Sequence, residues 1–285
     1  MSCVMRLIAS RIHGINIYVG QLVQFNSCIP YWCLFLLRTL DNPLQGGEVN
    51  ACRQSQISLL NDIGKIAGLI LDTLGFITLL GAQRGSMQSA DNQTFKIISS
   101  IILVQGGILL YWIITTDNFF NFTGFTTLSN ISMLSWGIAA LVIFLHVWGA
   151  AGISNVREHM FKFNKLKCLA LLGALVSGFF EEILFRKILM DYLQEEGFSD
   201  FIQIIISGLA FGIAHLVWGG KALSAAVNAT FYTFLLGAGL ALIYIMSERN
   251  VALCIIAHTI TTGLIEPGLI KAAVLNKLDY FKERT

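Results

Sequence analysis

The amino-acid sequence predicts an all-α protein, a polytopic bundle of about eight transmembrane helices with a polar cavity inside the membrane. Hydrophobic residues make up 55% of the 285 positions, and Asp, Glu, Lys and Arg together only 13%, about half of their share in soluble domains. The mean hydropathy of +0.69 points the same way. The apolar runs are roughly 17–25 residues long and do not alternate every second residue, so they fit helices rather than barrel strands.

The predicted spans follow from the apolar runs in chain order. The first, at roughly 15–37, is weak because Gln21, Gln24 and Pro30 interrupt it. The second, third and fourth lie at roughly 64–82, 97–116 and 131–151. The fifth begins near Lys167, and the last three lie at roughly 201–217, 222–246 and 251–273.

The distribution of basic residues predicts the orientation, because Lys and Arg are retained on the cytoplasmic side of a membrane. The segment 152–167 carries Arg157, Lys162, Lys165 and Lys167 and is therefore expected in the cytoplasm. Alternation from this segment places the N-terminus and the C-terminus in the cytoplasm as well. We therefore expect a multi-pass protein of the cell membrane, with the lipid bilayer as its surroundings.

Composition divides the chain into four predicted parts. Residues 1–60 form an N-terminal segment with the weak first span, and 61–164 form N-terminal transmembrane helices. Residues 165–273 hold the acid–base residues of interest and form the predicted functional domain, and 274–285 form a cytoplasmic tail. A net charge of +2 provides no basic surface for nucleic acid. The 6 cysteines contain no CxxC pair, so neither a disulfide framework nor a zinc knuckle is predicted.

The segment from Gly178 to Arg186 is the most informative part of the chain, because it places two adjacent carboxylates inside an apolar run. One ionised residue at mid-span costs about 2.5–3.5 kcal/mol. Glu182 and Arg186 are four residues apart, share a helix face and are predicted to pair. Glu181 is turned by about 100° from Glu182 and remains available as a general base. In the alternative interpretation, the pair marks the point where the helix leaves the membrane.

Two further pairs of residues have the same helical spacing. Phe211 and His215 lie near the end of the sixth predicted span, and His258 and Thr262 lie inside the eighth. Each pair alone also has an ordinary structural explanation. His215 is explained as a buried core histidine, and His258 and Thr262 are explained as donors of hydrogen bonds between helices. Ionisable groups in a membrane bundle face inward and find one another, so all three elements together predict one shared polar site.

These three elements, in this order, resemble the motifs of the CPBP intramembrane proteases, the CAAX-protease, Abi and bacteriocin-processing group. The resemblance rests on Glu181-Glu182-x-x-x-Arg186, Phe211-x-x-x-His215 and His258-x-x-x-Thr262, and it covers roughly residues 165–270. The family usually has Asn, or sometimes Asp, where this chain has Thr262. The resemblance implies an all-α membrane bundle with a water-accessible conical cavity.

The activity that this resemblance implies is peptide hydrolysis that depends on a glutamate. Glu181 would deprotonate a water molecule held together with His215. His258 and Thr262 would stabilise the oxyanion, a role worth about 3–4 kcal/mol per donor in soluble enzymes. The implied substrate is a hydrophobic or lipidated peptide.

The remaining motif residues have supporting roles in this interpretation. Glu182 and Arg186 would fix the helix and the electrostatics around the base, with Phe211 as a structural residue. No cofactor is required. Zinc is a less favoured alternative because the chain has no HExxH motif; its ligands would be Glu181, His215 and His258.

Two alternative functions and one geometric difficulty accompany this interpretation. In the first alternative, the chain is an inactive relative that binds peptides, for example in self-immunity to a bacteriocin. In the second, it is a proton-coupled transporter. Paired broken helices, which favour a transporter, are not evident. The difficulty is one of depth. Glu181 lies some 21 Å along the helix from Lys167, toward the outer side, whereas His215 is predicted near the inner end of its span.

Overall fold

The computed structural model describes residues 90–215 and 223–274, and this part of the chain is helical without any strand. The long helices in chain order are α1 (Ala90–Thr115), α3 (Met133–Ala150), α5 (Lys165–Glu182), α8 (Leu223–Met246) and α9 (Val251–Val274). The shorter ones are α2 (Phe119–Phe122), α4 (Ser154–His159), α6 (Leu189–Glu195) and α7 (Asp200–Ala214). A 3₁₀ turn covers Phe125–Asn130, and a π-helical turn, Ile183–Ile188, joins α5 to α6.

The predicted fold class is confirmed, since five helices among the described residues are long and apolar enough to cross a membrane. These spans are Asp91–Thr115, Met133–Ala150, Lys165–Glu195, Ala226–Met246 and Val251–Ala273. They correspond to the third, fourth, fifth, seventh and eighth predicted spans. The first two predicted spans, at 15–37 and 64–82, lie outside the described residues, so the total of eight stays a prediction.

The sixth predicted span corresponds to α7, which is shorter than expected. Its 15 residues extend about 22 Å, less than the roughly 30 Å of a bilayer's hydrocarbon core. The helix ends because His215 leaves the helical conformation, at φ −95° and ψ 3°. The apolar run that predicts a sixth span therefore forms a shorter apolar helix.

The fifth span continues well past the glutamate pair because a π-helical turn carries α5 into α6 without a break. Asn164 caps the start, where its side chain accepts a hydrogen bond from the Lys167 backbone N–H at 2.8 Å. The wider turn leaves helical carbonyls without their usual donors, and the Ser207 hydroxyl of α7 donates to the Phe185 carbonyl at 3.1 Å. The span Lys165–Glu195 places the Glu pair near its middle, which disfavours the interpretation that the helix leaves the membrane there.

Small residues let α7 and α8 approach closely, as in other membrane helix pairs. A Cβ atom added to Gly212 would lie 2.7 Å from the Thr230 carbonyl oxygen. One added to Gly237 would lie 2.9 Å from the Cβ of Phe211. This close contact fixes the end of α7 that carries Phe211 and His215.

A buried lysine ties α9 to α5 at a proline. Pro267 has no backbone N–H, so the Gly263 carbonyl one turn earlier lacks its helical donor. The ammonium of Lys167 donates to the carbonyls of Gly263, at 2.5 Å, and Leu264, at 3.1 Å. This contact keeps α9 aligned with α5 next to the residues of the site.

The outer surface of α3 is apolar. Met133 is 87% exposed and Trp148 is 73% exposed. The helix is 18 residues long and has the hydropathy of a membrane span. Large apolar side chains exposed all along such a helix are expected in contact with lipid. The chain is therefore an integral membrane protein.

Candidate functional site

Glu182 and Arg186 form a buried ion pair in the middle of the fifth span, as the helical spacing predicts. Arg186 Nη1 donates to Glu182 Oε1 at 3.1 Å, and both side chains are fully buried. Arg186 Nη2 also donates to the Gly237 carbonyl at 2.8 Å. Its guanidinium lies 4.9 Å from the centre of the Phe211 ring, so the π-helical turn, α7 and α8 meet around this one cation.

His258 joins α9 to this pair. Its Nδ1 lies 2.6 Å from Glu182 Oε1, the oxygen that also accepts from Arg186. The other ring nitrogen, Nε2, lies 3.9 Å from Glu181 Oε2. Glu182 thus orients the imidazole of His258 so that its free nitrogen faces the second glutamate.

His215 approaches Glu181 from α7. Its Nδ1 lies 2.8 Å from the Phe211 carbonyl oxygen, which can only accept, so Nδ1 carries the hydrogen. The neutral ring then presents the Nε2 lone pair to Glu181 Oε2, at 3.9 Å. Phe211 also packs edge-on against the His258 ring, with 5.7 Å between centroids, and so fixes the spacing of the two imidazoles.

Glu181 Oε2 is the point where three helices converge. It is buried and accepts no hydrogen bond from any residue that the structure describes. The Nε2 atoms of His215 and His258 face it at equal distances of 3.9 Å, which is too long for a direct hydrogen bond. The arrangement can bind a small polar group between one carboxylate oxygen and two imidazoles.

The expected mismatch in depth between Glu181 and His215 is absent. Glu181 lies about 14 residues before Glu195, the end of α6, and His215 lies about 15 residues after Asp200, the start of α7. At 1.5 Å per residue, both are about 21–22 Å from the turn that joins the two helices. The sequence argument measured depth from Lys167 alone, whereas the continuation of α5 into α6 places both residues at a similar distance from the same turn.

Thr262 is the predicted site residue that the structure does not tie to the others. It is half-buried on α9, one turn beyond His258. Within the described ranges its hydroxyl makes no hydrogen bond. Its role in oxyanion stabilisation stays a prediction, whereas Glu181, Glu182, Arg186, Phe211, His215 and His258 lie together.

Sequence reasoning missed two polar residues near Glu181. Gln105 on α1 donates from Nε2 to Glu181 Oε1 at 3.1 Å. Glu266 on α9 lies close enough to Glu181 and His258 for their charges to interact, and its Oε2 is buried. Each had a signal: Gln105 is a lone amide within an apolar run, and Glu266 follows His258 by about two helical turns and so shares its face.

A metal ion would need ligands at distances typical of coordination. Zinc takes imidazole nitrogens and carboxylate oxygens at about 2.0–2.2 Å. In the part of the chain that the structure describes, no group of three His, Cys, Asp or Glu has an arrangement that could hold a metal ion. The Glu181, His215 and His258 atoms converge but are not arranged as a preformed coordination shell.

Comparison with known proteins gives a match to a family model. Residues 163–264 match the family model described as type II CAAX prenyl endopeptidase Rce1-like. No curated protein and no solved structure matches the chain significantly. The matched residues begin just before α5 and end within α9, so they include both glutamates, Arg186 and both imidazoles of the site. This match supports the resemblance of residues 163–264 to the CPBP family of CAAX-type intramembrane proteases.

Proposed function

We propose that the protein is an intramembrane endopeptidase that cleaves a membrane-associated or hydrophobic peptide, with Glu181 activating the attacking water. The convergence of Glu181 Oε2 with the Nε2 atoms of His215 and His258 carries this proposal. A general base must lie within reach of the proton that it takes, and its neighbours must orient the water. All three groups lie within a bundle of apolar spans. They are therefore at the depth of the bilayer, where a hydrophobic substrate also resides.

The first step is attack by water on the scissile carbonyl. A water molecule donates one hydrogen to Glu181 Oε2 and the other to His215 Nε2, both of which present lone pairs. Glu181 takes the first proton as the water oxygen bonds to the carbonyl carbon, and the carbonyl oxygen becomes an oxyanion. This step is general-base catalysis, which typically accelerates a reaction by about 10²–10⁴-fold.

The second step is collapse of the tetrahedral intermediate. The C–N bond breaks, and Glu181 returns its proton to the leaving nitrogen, so that one carboxylic acid and one amine are released. His258 donates to the oxyanion from Nε2 when both ring nitrogens carry hydrogens. Glu182, 2.6 Å from Nδ1, stabilises that doubly protonated form. Thr262 is the second proposed donor.

The proposed catalytic domain is residues 165–273, and the proposed location is the cell membrane with both termini in the cytoplasm. No nucleic acid takes part. The substrate enters laterally from the bilayer in this proposal, because a hydrophobic peptide partitions into the lipid that contacts the apolar side chains of α3.

An inactive peptide-binding protein is the second candidate function. Thr262 favours it, because a hydroxyl replaces the amide that the family usually has there and forms no hydrogen bond within the described ranges. Such a protein would bind hydrophobic peptides at the same residues without cleaving them, as a self-immunity protein does.

The decisive experiment compares the purified wild-type protein with Glu181→Gln in proteoliposomes. Peptides with hydrophobic or prenylated C-terminal segments are incubated in water labelled with heavy oxygen, and products are identified by mass spectrometry. We expect the label in the new carboxylate after a single turnover, and a loss of about 10³-fold in Glu181→Gln. Glu158→Gln, an exposed carboxylate outside the site, is the control. Equal binding without any cleavage would establish the second candidate, and uptake coupled to protons would establish a transporter.

Metal removal tests the zinc alternative. The proposed mechanism uses only side chains, so we expect full activity after dialysis against a chelator such as phenanthroline. Loss of activity that zinc restores would instead assign Glu181, His215 and His258 as ligands.

A further inference from the structure

The base of the proposed mechanism is held by a helix outside the family domain. Gln105 lies on α1, well before residue 163, where the family match begins. Its Nε2 donates to Glu181 Oε1 at 3.1 Å, and the residue is only 6% exposed. It is the one side chain in the described ranges that donates a hydrogen bond to this carboxylate.

The two oxygens of Glu181 therefore have different surroundings. Oε1 is occupied by the amide of Gln105, and Oε2 faces the two imidazoles. A carboxylate held by one oxygen cannot rotate freely about its last torsion, which would otherwise be broad. The amide N–H also stabilises the ionised form, which is the form that accepts a proton from water.

A second contact holds α1 in the register that this hydrogen bond needs. The Trp112 ring, two turns beyond Gln105, stacks on Phe180 with centroids 5.6 Å apart and an interplanar angle of 17°. Phe180 directly precedes Glu181 in α5. The stack and the amide thus act on adjacent residues of α5.

We infer that Gln105 is a positioning residue of the active site, which holds Glu181 Oε1 so that Oε2 points at the two imidazoles. This inference rests on the proposed function and extends it, because it makes α1 part of the catalytic unit. The predicted catalytic domain of residues 165–273 leaves this helix out.

The test is a steady-state comparison of Gln105→Met with wild type. Methionine has a similar length and shape but donates no hydrogen bond, so α1 can keep its packing. We expect kcat to fall about tenfold or more, as for loss of one bond to a charged group, with KM changed less than about threefold. Gln93→Met, at an exposed position of the same helix, is the control and leaves both constants unchanged.

The split between kcat and KM distinguishes positioning from general structural support. A merely structural defect lowers the amount of folded protein and leaves the kcat of each folded molecule unchanged, whereas a misplaced Glu181 lowers kcat itself. Thermal unfolding of the same samples measures the folded fraction.

Gln105→Glu keeps the inference testable if the methionine variant fails to fold. It keeps the side chain's size but places a second carboxyl against Glu181 in place of the amide donor, so kcat falls as in Gln105→Met. Cleavage that depends on Glu181 but is indifferent to both substitutions overturns the inference and leaves the proposed function intact. Cleavage that does not depend on Glu181 overturns both.

Discussion

Two polar clusters within the bundle contain similar residue types but differ in how many of their polar atoms have hydrogen-bond or ion-pair partners. The site cluster consists of Gln105, Glu181, Glu182, Arg186, His215 and His258. The Asp191 cluster consists of Lys187, Asp191, Gln203, Tyr244 and Arg249. Their difference separates polar groups that are paired within the fold from polar groups that are left without a partner among the described residues.

The Asp191 cluster has its polar groups paired. Asp191 Oδ1 accepts from the Tyr244 hydroxyl at 2.8 Å and from Arg249 Nη1 at 2.7 Å. Its Oδ2 lies 2.8 Å from the Lys187 ammonium, and Arg249 Nη2 donates to Gln203 Oε1 at 2.6 Å. These contacts join the π-helical turn, α6, α7, α8 and the loop between α8 and α9, so the cluster stabilises the fold.

The site cluster leaves several buried polar atoms without a partner in the described ranges: Gln105 Oε1, Glu181 Oε2, Glu182 Oε2 and Arg186 Nε. A buried polar atom without a hydrogen bond costs about 1–3 kcal/mol. A reaction or a bound ligand is one physical reason for a fold to retain such a cost. The contrast with the Asp191 cluster therefore agrees with the site that the sequence motifs predict.

The largest expected effect on stability is at Glu182, and its neighbour Glu181 is expected to behave differently. Glu182→Gln removes the charge that Arg186 and His258 share, so we expect the free energy of unfolding to fall by about 3–5 kcal/mol. Glu181→Gln removes the proposed base but breaks no buried ion pair, so its unfolding midpoint stays near that of wild type while activity is lost. Thermal unfolding in detergent micelles measures both, and equal destabilisation would contradict the division.

A smaller effect on stability is expected in the Asp191 cluster. Arg249→Met removes two hydrogen bonds and leaves Gln203 Oε1 without its donor, which lowers the free energy of unfolding by about 2 kcal/mol. Activity per folded molecule stays within about twofold of wild type. Lys162→Met, an exposed position, is the control. A catalytic defect in the folded Arg249→Met protein would show that the Asp191 cluster also serves the reaction.

The π-helical turn is tested by Ser207→Ala. The Phe185 carbonyl then loses the hydroxyl that donates to it, and we expect a loss of about 1 kcal/mol in unfolding free energy. Ser100→Ala is the matched control, because the exposed Ser100 hydroxyl donates only to the Lys96 carbonyl of its own helix. Equal midpoints for the two variants would mean that α7 does not support the turn.

The smallest effect on stability is expected for Thr262→Ala. The hydroxyl has no hydrogen bond within the described ranges, so the free energy of unfolding changes by less than about 0.5 kcal/mol. If Thr262 donates to the oxyanion, kcat falls about tenfold or more. An unchanged kcat would remove Thr262 from the proposed mechanism and leave His258 as the donor.

Helical spacing predicted the contacts within single helices at the candidate site. Residues four apart share a face, which is why Glu182 pairs with Arg186 and why the His215 ring bonds to the Phe211 carbonyl. The contact between His258 and Glu182 was not predicted, because it depends on how α9 packs on α5. Gln105 was missed for the same reason, since its partner lies 76 residues later in the chain.

The sequence by itself determined the fold class and the membrane environment, because both follow from the length and hydropathy of local runs. It also determined which residues share a helix face, since that depends only on the period of the helix. The depth of each helix and the meeting of α1, α5, α7 and α9 at Glu181 were decided by the tertiary structure. Those contacts depend on a π-helical turn, on the short α7 and on close approach at glycines, none of which is set by hydropathy or local period.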